Sequence, residues 1–257
     1  MRIAVLVKEV PDTYGARTLD LETGLTRRDA SELVLDEVGE RALEFAISYA
    51  ESAPDTEVVA VSVGPESAVN SLRKGLAMGA HRAVHVVDPG LAGADLTLTA
   101  TALAAALRKV EADLIVTGNV STDGAAGLIP TMVAEHLGLP SVSALDRVEL
   151  SEGTIRAERT VDGGKMSVEL ALPAVISVTE RMPDPRFAGL KGIMAAKKKP
   201  FESYSAADLG VDPDELVPRS IMTAVAERPP RGAGIKIVDD GSAAAQLADF
   251  LAQKGLL

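Results

Sequence analysis

Apolar runs that are typical of buried strands alternate with helical patterns through the first half of the chain. The runs are RIAVLV at Arg2–Val7, EVVAVSV at Glu57–Val63, RAVHVV at Arg82–Val87 and DLIVTG at Asp113–Gly118. Between them, apolar residues recur at helical spacing, as in the stripe that starts at Leu96. Parallel strands need crossover connections, which are usually helices. The alternation therefore predicts an α/β fold built on a parallel sheet.

The pattern changes after Pro140. Short strand-like segments follow, SVSALDRVEL, TIRAERTV, KMSVELAL and AVISVT, with turn signals at Ser151–Gly153, Asp162–Gly164 and Leu172–Pro173. Glycine in the VDGG turn supplies the positive φ that a tight hairpin needs. We expect these segments to extend the same sheet with antiparallel strands and not to form a separate domain.

The C-terminal region is expected to form an arm. Two prolines and two glycines keep AERPPRGAGIKI extended, and an amphipathic helix with Leu247, Phe250 and Leu251 follows it. Such an arm buries little against its own domain and is suited to wrapping a partner. We therefore divide the chain into an α/β domain, residues 1–200, and a C-terminal arm, residues 201–257.

Composition excludes several classes of protein. The 257 residues include no cysteine, which excludes disulfides, thiolate nucleophiles and cysteine-ligated metal centres. The formal net charge of −11 disfavours general nucleic-acid binding. No apolar run is long enough to span a bilayer. The five apolar residues between Arg2 and Lys8 are too few for a signal-peptide core. We expect a cytoplasmic protein.

The clearest candidate for a binding site is VTGNVSTDGAAGLIP, Val116–Pro130. A strand ends at Gly118, and a helix is expected to start near Asp123 or Gly124. Free N–H groups and the dipole at a helix start bind phosphate, and Gly124 and Gly127 let it approach the backbone. Ligands of open α/β sheets bind at the carboxyl ends of the strands, where this loop lies. A crossover loop that is merely capped by Asp123 explains the same residues, and spacing alone does not decide between the two.

Other strand ends should face the same crevice, namely Leu6–Lys8, Val63–Gly64 and the region Asp36–Gly39.

Residues typical of catalysis are scarce. The three histidines are not spaced as a metal site and are expected on the surface or in packing. Neither G-x-S-x-G nor H-E-x-x-H occurs. The pattern indicates a nucleotide-binding protein with no metal site and no catalytic residues.

The segment FAGLKGIMAAKKKP, Phe187–Pro200, contrasts with the acidic chain around it. From Thr179 to Pro200 there are six cationic residues, opposed only by Glu180 and Asp184. The apolar residues among them show no strand alternation and only one turn of helical spacing. Taken alone, these residues favour a buried Leu190 beside a solvated lysine run.

Several stretches together resemble the β subunit of electron transfer flavoproteins. They are VLVKEVPD, VSVGPESAVNSLRKGLAMGAHRAVHV, GNVSTDGAAGLIPTMVAEHLGLP, RTVDGG, LPAVISVTERMPDPRFAGLKGIMAAKKKP and RPPRGAGIKI. They run in order from Ile3 to about Ile237, and only the final helix diverges. PRFAGLKGIMAAKKK is the most specific of them. The chain is identified as a member of this family.

The resemblance implies a doubly wound, Rossmann-like β subunit in a heterodimer with an α subunit. Such heterodimers accept electrons from acyl-CoA and related dehydrogenases, as in fatty acid β-oxidation, and pass them to a membrane quinone oxidoreductase. The α subunit holds most of the FAD, and the β subunit binds AMP. The chain is thus expected to be an electron carrier subunit and not an enzyme. The implied AMP-binding residues are Leu6, Asp36, Glu37, Val38, Gly39, Val63, Gly118, Asn119, Val120, Ser121, Thr122, Asp123, Gly124, Ala125, Ala126, Gly127, Leu128 and Ile129.

The resemblance also gives the basic segment a role. It aligns with the family's recognition loop, about residues 184–200, which docks onto partner dehydrogenases. Leu190 aligns with the apolar anchor that enters a pocket on the partner, and nearby cations would tune the association rate. The C-terminal arm would pack on the α subunit. The implied docking residues are Leu190, Ile193, Met194, Lys197, Lys198 and Lys199.

The sequence departs from the family pattern at three places. Asp36-Glu37 stands where Asn-Pro is common, and Thr13, beside Tyr14, aligns with an aromatic residue that contacts the flavin in some members. Gly127, Leu128 and Ile129 replace polar residues that contact the phosphate. Backbone N–H groups must then bind the phosphate there.

Two other interpretations stay open. In a bifurcating member of the family, the β subunit holds a second FAD in place of AMP. In the other interpretation the chain is a nucleotide-binding regulatory domain of the universal-stress type. That class shares the alternating first half, but it explains neither the recognition loop nor the arm.

Overall fold

The four strands predicted in the alternating half all enter one parallel sheet. The computed structural model describes residues 1–151, 153–215 and 218–257. Its strands are β1 (Arg2–Leu6), β2 (Glu9–Pro11), β3 (Leu33–Leu35), β4 (Glu57–Val63), β5 (Arg82–Val86), β6 (Leu114–Gly118), β7 (Ser141–Leu145), β8 (Arg147–Ser151), β9 (Thr154–Val161), β10 (Gly164–Ala171), β11 (Ala174–Val178) and β12 (Phe201–Tyr204). Its helices are α1 (Glu37–Ser52), α2 (Val69–Met78), α3 (Leu96–Val110), α4 (Ile129–Leu137), α5 (Leu190–Ala196) and α6 (Ala243–Gln253).

The central sheet has seven strands in the order β12-β5-β4-β1-β6-β11-β7. Its strand pairs are all parallel, and β1 lies at the centre, between β4 and β6. The chain moves outward from β1 through β4 to β5 and then returns to place β6 on the other side of β1. This reversal of direction defines a doubly wound sheet.

Helices cover both faces of this sheet. Ile3 and Val5 of β1 share a core with α1 and α2, through residues such as Leu43 and Leu72. Ala4 of β1 points to the opposite face, where it shares a second core with α3 and α4. Successive strand residues face opposite sides, so an unbroken apolar strand such as β1 is buried on both. The predicted α/β, doubly wound fold is confirmed.

The segments after Pro140 divide between two sheets. β7 and β11 enter the central sheet, whereas β8, β9 and β10 form a separate three-stranded antiparallel sheet. The expectation that all of them extend one sheet is therefore wrong for β8 to β10. SVSALDRVEL breaks at Asp146, whose carboxylate accepts hydrogen bonds from the N–H of Thr160 and the hydroxyls of Thr160 and Thr179. These bonds fasten the turn between β7 and β8 to β9 and to the residue after β11.

The parallel sheet continues beyond residue 200, where the domain boundary was expected. β12 pairs in parallel with β5, from Phe201 opposite Ala83 to Tyr204 opposite Val86. The chain forms two compact units, Met1–Thr223 and Ala224–Leu257. The second unit contains α6, which has no buried residue. None of the described helices is long and apolar enough to cross a membrane.

Candidate functional site

The reversal of strand order places a crevice at the carboxyl ends of β1 and β6. The pairs Ile3–Leu114 to Leu6–Thr117 bring the ends of these strands side by side. β4 lies on the other side of β1 and continues to Val63 at the same edge. The crossovers leaving β1 and β6 run in opposite directions from this point, which is where ligands bind in doubly wound sheets.

The loop after β6 is longer than the sequence suggested. The helix expected near Asp123 or Gly124 begins at Ile129, so that expectation is wrong by about one turn and a half. Ala125 and Gly127 have φ angles of 49° and 67°, which a right-handed helix does not contain. Pro130 stands in the first turn of the helix, where its missing N–H leaves no bond unmade.

The start of α4 has the free donors that a phosphate needs. Within the described part of the chain, no protein group accepts a hydrogen bond from the backbone N–H groups of residues 126–129. Leu128, the N-cap residue, supplies no side-chain cap. The buried Oδ1 atom of Asn119 at the other end of the loop also lacks a partner. These features fit the phosphate and polar groups of a nucleotide.

Asp36 ties this loop to α1. Its carboxylate caps α1 by accepting a hydrogen bond from the N–H of Val38, 3.3 Å away. The other carboxylate oxygen accepts from the N–H of Thr122 at 2.8 Å and from its hydroxyl at 3.2 Å. Asp36, which stands where Asn is common in the family, thus accepts hydrogen bonds from both α1 and the loop with a single carboxylate.

Asp123 is the centre of an ion cluster that the sequence analysis missed. Its side chain is 3% exposed and pairs with Lys8 at 2.7 Å and with Arg28 at 2.9 Å. Burial opposes ionisation, but hydrogen bonds and charge from Lys8, with further bonds from Ser121 and Gly124, hold the pKa of Asp123 well below its usual range. The loop is therefore surrounded by cations, and its aspartate is ionised.

Arg28 comes from the irregular excursion between Asp12 and Leu33, as does Arg17, which donates to the carbonyl of Thr122. No periodicity marks that excursion, so sequence analysis offered no reason to place it over the loop.

Close packing explains one glycine of the site. A Cβ atom on Gly118 would lie 3.1 Å from the Cβ of Val38, so glycine lets β6 approach the start of α1. Val38 and Leu6 are buried at this point of the core. The implied binding residues on β1, α1 and β6 are therefore neighbours, as expected, whereas Leu128 is 53% exposed at the outer edge of the loop.

The recognition loop, residues 184–200, contains α5 and carries an exposed apolar surface. Phe187 and Leu190 are 100% and 78% exposed. Ile193 and Met194 are also exposed, and so are Lys197 and Lys198. The interpretation based on residue pattern alone, a buried Leu190, is wrong.

Lys199 does not belong to the exposed rim. Its ammonium donates to the carbonyls of Leu76 and Ala80 at the end of α2, at 2.8 and 2.6 Å. Burial lowers the pKa of Lys199. This lysine therefore binds the end of the recognition loop to the core, and the freely exposed cations of the run are Lys197 and Lys198.

Comparison with known proteins identifies the family. A family model described as "Electron transfer flavoprotein domain" matches residues 25–209. The chain is 42% identical over 261 residues to an "Electron transfer flavoprotein subunit beta" of Mycobacterium tuberculosis (strain ATCC 25618 / H37Rv), covering 98% of each chain. The chain belongs to the electron transfer flavoprotein β-subunit family.

Less similar relatives match as well. A "subunit beta" from Syntrophomonas wolfei is 34% identical over 98% of this chain and 96% of its own length. The "Caffeyl-CoA reductase-Etf complex subunit CarD" of Acetobacterium woodii is 32% identical over 83% and 82%. The family identification made from the sequence motifs is confirmed.

The described residues contain no cluster of three or more histidine, cysteine or acidic side chains that could hold a metal ion. Two of the histidines bond to backbone groups. His81 accepts a hydrogen bond from the N–H of Val58, and His85 is buried against Phe201 with its Nε2 3.2 Å from the carbonyl of Gly64. Burial lowers the pKa of His85. In this electron transfer flavoprotein β chain, the loop between β6 and α4 and the exposed segment 184–200 are the two features that suggest binding.

Proposed function

We propose that this chain is the β subunit of a heterodimeric electron transfer flavoprotein that carries electrons from acyl-CoA or related dehydrogenases to a quinone oxidoreductase. The α subunit would hold most of the FAD, which supplies the redox chemistry, and the β chain would bind AMP. The β chain would act in the cytoplasm as an electron carrier and not as an enzyme. Membership of the family supports this assignment, and the Acetobacterium woodii relative is named as a subunit of a complex with a reductase.

The observation that carries the nucleotide proposal is the set of free N–H groups at the start of α4. They lie in the loop that follows β6, at the reversal of strand order. Phosphate at this place would accept hydrogen bonds from residues 126–129 and gain from the positive end of the helix dipole. Lys8 and Arg28 supply positive charge beside the loop. Backbone donors thus replace the polar side chains that this sequence lacks at Gly127, Leu128 and Ile129.

Leu190 supports the docking part of the proposal. A large apolar side chain that is 78% exposed, beside the fully exposed Phe187, is suited to enter a pocket on another protein. Lys197 and Lys198 lie at the end of the same segment and would attract an acidic partner surface, which raises association rates. The dehydrogenase is the partner that this surface would bind.

Nucleotide analysis of the purified heterodimer tests the assignment. The chain is co-expressed with the α subunit from its own genome, and the nucleotides are released by heat or acid. We expect one FAD and one AMP per heterodimer. Two FAD and no AMP would favour the bifurcating interpretation instead. A heterodimer without any nucleotide in β, or a β chain that never associates with α, would contradict the proposal.

A matched pair of variants locates the phosphate. Leu128→Asp places a carboxylate at the N-cap of α4, where it stabilises the helix but repels phosphate. Leu128→Asn has nearly the same shape without the charge. We expect the aspartate variant to lose most of its AMP and the asparagine variant to retain it. Equal AMP content in both variants would place the phosphate elsewhere.

A further inference from the structure

One face of α1 binds residues 182–186, which precede α5. Arg41, Glu44, Ser48 and Glu51 are spaced by three or four residues and therefore lie on the same side of the helix. Arg41 donates to the carbonyl of Met182 at 2.5 Å and to the carboxylate of Asp184 at 2.7 Å. The segment after β11 is thus fixed along α1 before the recognition loop begins its helix.

Arg186 makes the strongest set of contacts with this face. Its Nε and Nη2 atoms donate to the two carboxylate oxygens of Glu44 at 2.8 and 2.9 Å, a bidentate pair. Its backbone N–H donates to Glu44 as well, at 2.9 Å. Nη1 and Nη2 donate to Glu51 at 2.5 and 3.0 Å, and Nη2 contacts Ser48 at 3.2 Å. Both ends of the residue, backbone and guanidinium, are therefore held.

The other end of the recognition loop is held against α2. Arg73 donates to the carbonyl of Ala196 at 2.6 Å, and Lys199 donates to two carbonyls at the end of α2. Between these contacts, Gly192 lies so close to α2 that a Cβ atom would be 2.2 Å from the carbonyl oxygen of Ala77. The short helix α5 is therefore fixed between two sets of polar contacts.

From this geometry we infer that Arg186 is a positioning residue for docking. Its bonds to Glu44 and Glu51 fix the backbone immediately before Phe187 and four residues before Leu190, so that both apolar side chains are presented in the orientation that the partner dehydrogenase binds. The inference rests on the proposed docking function of Leu190. A loop that is already ordered loses less conformational entropy when it binds, which increases affinity.

The location of the contacts argues against a purely structural role. The side chains of Glu44, Arg186 and Glu51 are 14%, 30% and 60% exposed, so the Arg186–Glu44 pair contributes to stability. Arg186 also directly precedes Phe187 and lies four residues before Leu190, the two most exposed apolar residues of the segment. Removal of Arg186 should therefore affect docking as well as folding, and KM and the melting temperature measure the two effects separately.

A double-mutant cycle in the intact heterodimer tests the inference. The probe is the rate at which a purified acyl-CoA dehydrogenase from the same organism, supplied with butyryl-CoA, reduces the heterodimer at increasing heterodimer concentration. We expect Leu190→Ala to raise the KM for the heterodimer about thirtyfold, with an unchanged melting temperature. Arg186→Ala should raise KM about tenfold with kcat nearly unchanged.

The decisive measurement combines the two changes. If Arg186 acts through Leu190, then Arg186→Ala in a Leu190→Ala background should raise KM less than twofold further. Glu44→Gln removes the negative charge and one of the two acceptors of the bidentate pair, and should raise KM in the same direction as Arg186→Ala. This second variant keeps the test valid if Arg186→Ala is poorly folded. Arg156→Ala breaks a more exposed ion pair, Arg156–Glu169 at 2.9 Å in the antiparallel sheet, and should leave KM unchanged.

The outcomes separate the inference from the function on which it rests. Multiplicative effects of the two substitutions would show that Arg186 does not act through Leu190 and would overturn the inference. An unchanged KM in both Arg186→Ala and Glu44→Gln, with a raised KM in Leu190→Ala, would overturn it while leaving the docking function in place. An unchanged KM in Leu190→Ala would remove the docking function and the inference together.

Discussion

Gly192 illustrates how one absent side chain positions an element. The Cβ of any other residue would lie 2.2 Å from the carbonyl oxygen of Ala77, so α5 could not stay where it is. We predict that Gly192→Ala displaces α5 and destabilises the protein by about 1–3 kcal/mol, as overpacking does. Thermal melting of the heterodimer measures the loss.

Gly189 provides the matched control for this prediction. It lies three residues earlier, has an ordinary extended conformation, and has no atom within 4 Å of an added Cβ. Gly189→Ala should change stability by less than about 0.5 kcal/mol. Equal melting temperatures for the two alanine variants would contradict the close approach of α5 to α2.

Single residues also show where sequence analysis fails. Lys199 is the third lysine of an exposed run, and nothing in KKK distinguishes it from Lys197 and Lys198. Its contacts with the carbonyls of Leu76 and Ala80 depend on a helix more than one hundred residues earlier in the chain. Arg28 at the loop between β6 and α4 is similar, since its partner Asp123 is distant in sequence. Contacts of this kind require the fold and leave no local pattern.

Individual helices and strands were predicted correctly from local sequence signals, whereas the pairing of distant strands into sheets was not. α3 was predicted from its apolar stripe, and β1, β4, β5 and β6 from unbroken apolar runs, because periodicity and burial are local properties. The separate sheet of β8 to β10 depends on Asp146 bonding to residues in two other parts of the chain. The start of α4 was misplaced because Ala125, a good helix former, adopts a left-handed conformation.

The contact between α1 and the recognition loop should depend on pH. Burial of Glu44 favours its neutral form, but hydrogen bonds from the side chain and backbone of Arg186 outweigh that effect and hold the pKa of Glu44 at about 2, below its ordinary 4.5. A carboxyl whose pKa is lowered by folding contributes fully to stability at a pH above the pKa it has in the unfolded chain. That contribution is lost as the pH falls toward the pKa it has in the folded protein. We predict a loss of stability between about pH 4.5 and pH 2 that Glu44→Gln reduces.

Melting temperatures of wild-type and variant heterodimers, measured from pH 6 to pH 3, test this dependence. The difference between them should be largest at pH 6 and shrink toward pH 3. Glu169→Gln alters an exposed ion pair with Arg156 in the antiparallel sheet and serves as the control. A constant difference between wild type and Glu44→Gln across the range would refute the assigned role of ionised Glu44.

The whole chain separates into one unit with a core and one without. Every buried apolar side chain that the structure describes lies between Ile3 and Val211, inside the unit Met1–Thr223. We predict that deletion of residues 224–257 leaves the melting temperature of the remaining unit nearly unchanged but prevents co-purification with the α subunit. The exposed apolar side chains of α6 would then act in association and not in folding.

Affinity purification through a tag on the α subunit gives the measurement, and circular dichroism of the shortened chain gives the control. A shortened chain that still co-purifies with α at full yield would show that the unit Ala224–Leu257 makes no important contact with it. A shortened chain that is unfolded would show that this unit contributes to the core fold after all.

The central place of β1 has a consequence for synthesis of the protein. Of the strands in the central sheet, β1 is synthesised first, but its neighbour β6 starts only at Leu114. Until β6 is made, one edge of the buried strand β1 stays unpaired, and exposed strand edges promote aggregation. Nascent chains that stop before Leu114 should therefore recruit chaperones, whereas chains that extend through Thr223 should release them.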